Sequence, residues 1–159
     1  MLKYCLDKWN SNKGYLEAAL REDESLCNCD YEYLVRLVVR HILNVGVEEY
    51  DFVTWNEGEI TTIDNGEYQG TLLFVIPRYT YQPNEYEYLM TYVNYGSCSG
   101  CDTLQHIQPW DYGKLTDDEV KDFMTLCKDI LTNIVKPWNN GWRHDDRFDV
   151  VTMEGANEN

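Results

Sequence analysis

Hydrophobic spacing changes twice along this chain, dividing it into helices, then strands, then helices. Up to about Leu26, apolar residues such as Leu16, Ala19 and Leu20 recur at helical spacing, predicting one or two short helices with Gly14 between the pieces. "CDYEYLVRLVVRHILNVG" predicts a stronger helix. Asp30 is placed to cap it and Glu32 suits the positive end of its dipole. Leu34, Leu37, Val38, His41 and Ile42 form one apolar stripe, and Asn44 with Gly46 ends it. From Tyr50 the period drops to two. "YDFVTWNEGEITTI" reads as strands around an Asn-Glu-Gly turn, and "DNG" (Asp64 to Gly66) predicts a hairpin with a type I′ turn. "YQGTLLFVIP" predicts a central strand ended by Pro77. "YTYQPNEYEY" holds a turn, and "YLMTYVNYG" predicts the next strand.

The helical period returns at "DTLQHI", which stops near Pro109, and dominates "LTDDEVKDFMTLCKDILTNIVKPW". There Thr116 and Glu119 fit a capping box, and Val120, Phe123, Met124, Cys127, Leu131 and Ile134 fall on one face, with Pro137 beyond. The fold class expected is α+β: an antiparallel meander of three or four strands packed against N-terminal and C-terminal helices. Residues 1–159 are expected to form a single domain with a polar tail from about residue 139.

Composition sharpens this picture in two respects. The formal charge is −15, and residues 22–68 hold twelve acids against two bases. A nucleic-acid binder needs a basic face to displace counterions, so direct nucleic-acid binding is not expected, and an acidic surface favours basic partners instead. Glu22, Asp23, Glu24, Glu48, Glu49, Asp51, Glu57 and Glu59 are the candidate partner-binding residues. The start "MLKYCLDKWN" lacks the pattern of a secretory signal, and no apolar run suits a membrane helix, so a cytoplasmic protein is expected, with no membrane partner.

The second respect is cysteine. Without a secretion signal, the six cysteines read as reduced thiols or metal ligands, and Cys5 and Cys127 fall on apolar helix faces. Cys98-Ser-Gly-Cys101 lies between a predicted strand and a predicted short helix and admits three readings. A redox pair would use a helix start to stabilise a thiolate, but the βαβ unit and cis-proline strand of a thioredoxin-like fold are missing from the pattern. A zinc site would join Cys27, Cys29, Cys98 and Cys101, with His106 able to replace one ligand. The third reading is a tight turn: Gly96, Ser97, Ser99 and Gly100 allow a chain reversal, with reduced, mostly buried structural thiols beneath and Asp102 or Ser97 capping the helix. The turn is the reading expected here. His41 reads as a core histidine, and His144 with Asp145 and Asp146 as part of a charged tail. No phosphate-cradling glycine loop, nucleophile elbow or zinc-protease motif occurs, and no catalytic residue is assigned.

Between Gly70 and Ile107, the "FVIP" strand, "TYQP" from Thr80 to Pro83, and "YGSCSGCDTL" from Tyr95 to Leu104 carry a resemblance. The segment is similar to a family of small proteins encoded by bacteriophages and prophages, to which no activity and no site residue is assigned. The resemblance implies a phage product acting in the host bacterial cytoplasm. By analogy with acidic anti-CRISPR proteins, the expected function is non-enzymatic: binding and inhibition of a host nucleic-acid-binding defence machine, such as a CRISPR effector, with carboxylates standing in for phosphates. The alternative is a zinc-stabilised or thiol-active accessory protein using Cys98 and Cys101.

Overall fold

A computed structural model describes residues 1–46 and 54–136. The chain begins with α1 (Leu2–Glu22), an unbroken helix of 21 residues. Gly14 does not divide it: the glycine lies mid-helix on an open face, where the backbone hydrogen bonds of a long helix outweigh the cost of one flexible residue. Cys5, Trp9, Asn12, Leu16 and Leu20 make its buried stripe. After a single 3-10 turn at Leu26–Asn28 comes α2 (Tyr31–Val38), whose N-cap Asp30 accepts a hydrogen bond from the Tyr33 N–H at 2.8 Å.

The predicted helix runs on past Val38 in a wider π-type turn over Val39–Leu43, closed by the Asn44 N–H on the Val39 carbonyl at 2.9 Å. Two asparagines satisfy this unusual helix end. Asn12 of α1, buried, donates to the carbonyls of Ile42 (2.8 Å) and Val45 (3.1 Å). Asn44 exchanges two hydrogen bonds, each of 2.9 Å, with the backbone of Trp55. Gly46 then turns the chain at φ +71°, a conformation open to glycine without strain.

The sheet has three antiparallel strands in the order β1 (Thr61–Asp64), β2 (Gly70–Pro77), β3 (Tyr88–Tyr95). Thr62 pairs with Phe74, which pairs with Thr91. The fourth strand allowed for is not formed among the described residues. Trp55 opposite Arg78 and Val135 opposite Met90 make single bridges only. The Asp64–Gly66 hairpin exists but is not a type I′ turn. Five residues separate β1 from β2, and no positive φ occurs between them. The asparagine and aspartate side chains take over the turn's hydrogen bonds instead: Asp64 accepts from the Gly66 N–H (2.9 Å) and Asn65 from the Thr71 N–H (2.7 Å).

Phe74 and Ile76 from β2 with Leu89, Thr91 and Val93 from β3 face the helices. α3 (Thr103–Ile107) is one short turn, and α4 (Asp117–Thr132) starts at a complete capping box formed by Thr116 and Glu119. α4 is the central beam, in contact with α1, α2, α3 and β3. Val120, Phe123, Leu126, Cys127, Ile130 and Leu131 are its buried residues, and the Thr91 hydroxyl ties it to β3 through the Ile130 carbonyl at 2.6 Å. The helices at both ends and the antiparallel sheet confirm the α+β class. Among the described residues no helix is long and apolar enough to cross a membrane.

Cys5 and Cys127 are fully buried, as the helical pattern required. Burial pushes both thiols, and that of Cys29, up to about 12 from 9.0. The unfolded chain therefore loses these protons first as pH rises. The stability that neutral burial provides is complete below pH 9.0 and disappears as the pH climbs through about 12. Urea midpoints measured from about pH 8 to about pH 11 should fall steadily, and Cys127→Ala should flatten that fall while costing about 1 kcal/mol at neutral pH for the small cavity.

Candidate functional site

The crossing from β3 into α3 is a tightly constrained turn. Gly96 is buried, and a Cβ on it would stand 2.5 Å from the Cys101 carbonyl oxygen and 2.6 Å from Cys101 Sγ, so only glycine fits. The Cys98 carbonyl accepts from the N–H groups of Cys101 (3.0 Å) and Asp102 (2.9 Å), closing one helical turn. Asp102 caps α3 by accepting from the Gln105 N–H at 2.9 Å; of the two caps considered for this helix, it is the one used.

Asp102 is also 4% exposed, a charge that burial would penalise without partners. Its second oxygen accepts from the Gly96 N–H at 3.1 Å, and its first also accepts from the Tyr31 hydroxyl at 3.1 Å. Tyr31 in turn accepts from the Leu104 N–H at 3.1 Å. Burial, reinforced by the Asp102 carboxylate, pushes the Tyr31 phenol up to about 12, so it remains a donor.

The thiols of this turn do not lie where the turn reading placed them. Cys98 and Cys101 are both free and both exposed, because the tight reversal turns their side chains outward and lets Gly96 and Asp102 occupy the interior. Their Sγ atoms are 3.0 Å apart. Cys101 Sγ also receives the Cys98 N–H at 3.2 Å, with the Ser97 hydroxyl at 4.0 Å. Contact with the Cys98 thiol first, then that N–H, holds the Cys101 thiol below the usual cysteine range.

The zinc set is not assembled. Cys29 is half-buried near Cys127, beside the Gln108 amide (3.7 Å), and Cys27 is half-buried on the preceding 3-10 turn. Among the described residues no three His, Cys, Asp or Glu side chains come together in a way that could hold a metal ion. His106 is exposed. His41 is half-buried, and burial lowers its pKa. His144, Asp145 and Asp146 lie outside the described residues.

Next to the turn lies an open cleft of about 390 Å³ between the inner face of the sheet, the start of α2 and α3. Leu72, Phe74 and Leu104 supply apolar floor, and Gly96 belongs to its wall. Asp30, Glu32, Asp64 and Asp102 are its carboxylates, and no basic residue lines it. The Tyr95 hydroxyl, then the Gly66 N–H, keep the Asp64 carboxyl below the usual range. Glu32 is divided between Arg36 at 2.7 Å and the Thr62 hydroxyl at 3.1 Å.

Five of the eight acids chosen from the sequence fall among the described residues. Glu48, Glu49 and Asp51 lie outside the described residues. Glu22 pairs with Lys114 at 3.1 Å. Burial raises the Asp23 carboxyl, but hydrogen bonds from the Ser25 hydroxyl, Tyr33 and the Ser25 N–H outweigh it and hold the group low. Glu24 is exposed, and its carbonyl accepts from the Gly113 N–H at 3.2 Å. These three therefore flank the loop that carries Trp110, which is 100% exposed, and Tyr112, which hydrogen-bonds Asn28. Glu57 pairs with Arg40 at 2.7 Å, and Arg40 lies near Tyr33, whose hydroxyl bonds Asp23; Glu59 is exposed two residues on.

Sequence reading did not place Asp30, Glu32 or Asp64 among the candidate partner-binding residues. Each has a sufficient local role as cap, dipole partner or turn residue, and nothing in the linear pattern marked their convergence. No protein-family model, curated protein or solved structure matches this chain.

Removing the Asp102 carboxylate strands the Tyr31 hydroxyl and the Gly96 N–H. Asp102→Ala should cost roughly 2–3 kcal/mol in urea denaturation. Gly96→Ala should cost about 1–3 kcal/mol by forcing Cys101 away. Cys98→Ser with Cys101→Ser, both exposed, should stay within about 0.5 kcal/mol of wild type.

Proposed function

We propose that this chain is a binding protein for a basic macromolecular partner and, in the phage setting its motif implies, an inhibitor of a host nucleic-acid-binding defence machine such as a CRISPR effector. The observation that carries the reading is the cleft: Asp30, Glu32 and Asp64 border an apolar floor beside the buried Asp102, with no base among the lining residues. An arginine or lysine side chain has an apolar stem and a charged head, and this combination of floor and rim suits both parts. A groove built for a phosphate backbone presents such side chains.

Two further features support it. Lys3, Arg21, Arg36, Arg40, Arg78 and Lys114 each face a carboxylate within the chain, so much of the basic complement is occupied internally while the net charge stays at −15. Trp110 and Tyr112 are exposed on the loop that follows the cleft-lining Gln108, and that loop meets the Glu22–Glu24 segment through Lys114 and Gly113. Exposed aromatics next to carboxylates suit guanidinium groups, which stack on rings and pair with acids.

The test is capture from bacterial lysate with nucleic acid as competitor. Wild type should retain nucleic-acid-binding proteins, and added DNA or RNA should displace them. Glu32→Gln with Asp64→Asn and Trp110→Ala should reduce that capture by about tenfold or more, the loss of roughly one well-placed contact. Asp7→Asn with Asp122→Asn changes the charge equally at exposed positions outside the cleft and should leave capture intact. Equal loss in the two variants, or indifference to nucleic acid, would show that the cleft is not the recognition site.

A further inference from the structure

We propose that Cys98 and Cys101 form a thiol–disulfide exchange site whose substrate is a disulfide and whose product state is the Cys98–Cys101 disulfide. The proposal stands apart from partner binding and rests on the β3–α3 turn. Two exposed thiols with sulfurs 3.0 Å apart need only a small approach to bond. The turn that holds them is rigid where it matters. The Cys98 carbonyl anchors two N–H groups, Gly96 admits Cys101 against its backbone, and Asp102 pins the turn to α2 through Tyr31. Ordering the two thiols in advance favours ring closure over capture of a second external thiol.

The assignment of roles comes from the donors. Cys101 Sγ has two donors, the Cys98 N–H at 3.2 Å and the Cys98 thiol at 3.0 Å, against one acceptor, the Cys98 carbonyl at 3.3 Å, so the donors favour negative charge on Cys101. Its lowered pKa agrees with this placement. The Cys101 thiolate attacks one sulfur of the incoming disulfide R–S–S–R. That bond breaks, one R–S⁻ leaves, and a mixed disulfide forms on Cys101. Cys98, deprotonated in its turn, attacks Cys101 Sγ and expels the second R–S⁻. The two protons given up by the cysteines end on the two released thiols. The cysteine sulfurs are oxidised by two electrons in total, and the substrate is reduced by the same two. Run backwards, the oxidised pair passes its disulfide to a dithiol.

Three of the four remaining cysteines are set apart from this chemistry, and Cys27 is half-buried. Cys5 and Cys127 are fully buried, with thiols pushed up to about 12, and Cys29 is raised to the same level.

The experiment treats the reduced, full-length chain with excess glutathione disulfide at neutral pH, quenches with acid and maps peptides by mass. Wild type should lose two hydrogens between Cys98 and Cys101 and retain no glutathione on either, whatever the half-buried Cys27 acquires. Cys98→Ser should stop at one glutathione on Cys101. Cys101→Ser should acquire glutathione on Cys98 at least about fivefold more slowly, since Cys98 lacks the N–H donor. A parallel arm offers insulin as a protein disulfide. Reaction with glutathione disulfide alone assigns a low-molecular-weight substrate, and reaction with insulin assigns a protein one. Either supports the site, and failure in both arms overturns it. Wild type carrying glutathione on both cysteines without closing would overturn it, as would zinc that copurifies on the pair and resists the disulfide. Should a serine variant fail to fold, the wild-type map decides by itself.

Discussion

One buried carboxylate organises the part of this molecule where chemistry concentrates. Asp102 receives hydrogen bonds from three donors, one at the end of β3, one in α3 and one at the start of α2. A charge of this kind is tolerable only when fully partnered, and its partners are tolerable only with the charge in place. The β3–α3 crossing is therefore held at both ends. Gly96 can approach Cys101 closely, and the cysteine side chains are displaced outward because the inside of the turn is already filled. The same carboxylate forms part of the cleft wall, so the dithiol and the cleft share one support.

Elsewhere the fold solves its polar problems with short asparagine and aspartate side chains. Asn12 and Asn44 close the π-type end of α2 and fasten it to α1 and Trp55. Asn65 and Asp64 close the first hairpin without positive backbone angles. The ion pairs have exposed or half-exposed members, which contribute little individually. Together they draw basic groups into internal pairs while the formal charge stays at −15.

Much of the fold was legible from spacing. The cap at Asp30, the capping box at Thr116 and Glu119, the central strand ending at Pro77 and the buried Cys5 and Cys127 all depend on a few neighbouring residues, and all are present. Local reading failed where packing or side-chain hydrogen bonds outweighed a single residue's preference. Gly14 looked like a break because flexibility is a local property, yet the stripe from Cys5 to Leu20 packs as one helix. Asn65-Gly66 looked like a two-residue turn, but side-chain hydrogen bonds support a longer one.

The candidate site shows the same division. Sequence alone determined that Cys98 and Cys101 share a short turn, that Asp102 is fit to cap the helix beginning at Thr103, and that the chain carries a large acidic excess, since these depend on residue identity and near neighbours. Only tertiary structure decided that the thiols face outward, that Cys27 and Cys29 do not join them, and that Asp30, Glu32, Asp64 and Asp102 border one cleft. The physical reason is that inward and outward are not properties of a turn. They are set by what else fills the space beneath it, and here Tyr31, 71 positions from Asp102, fills it.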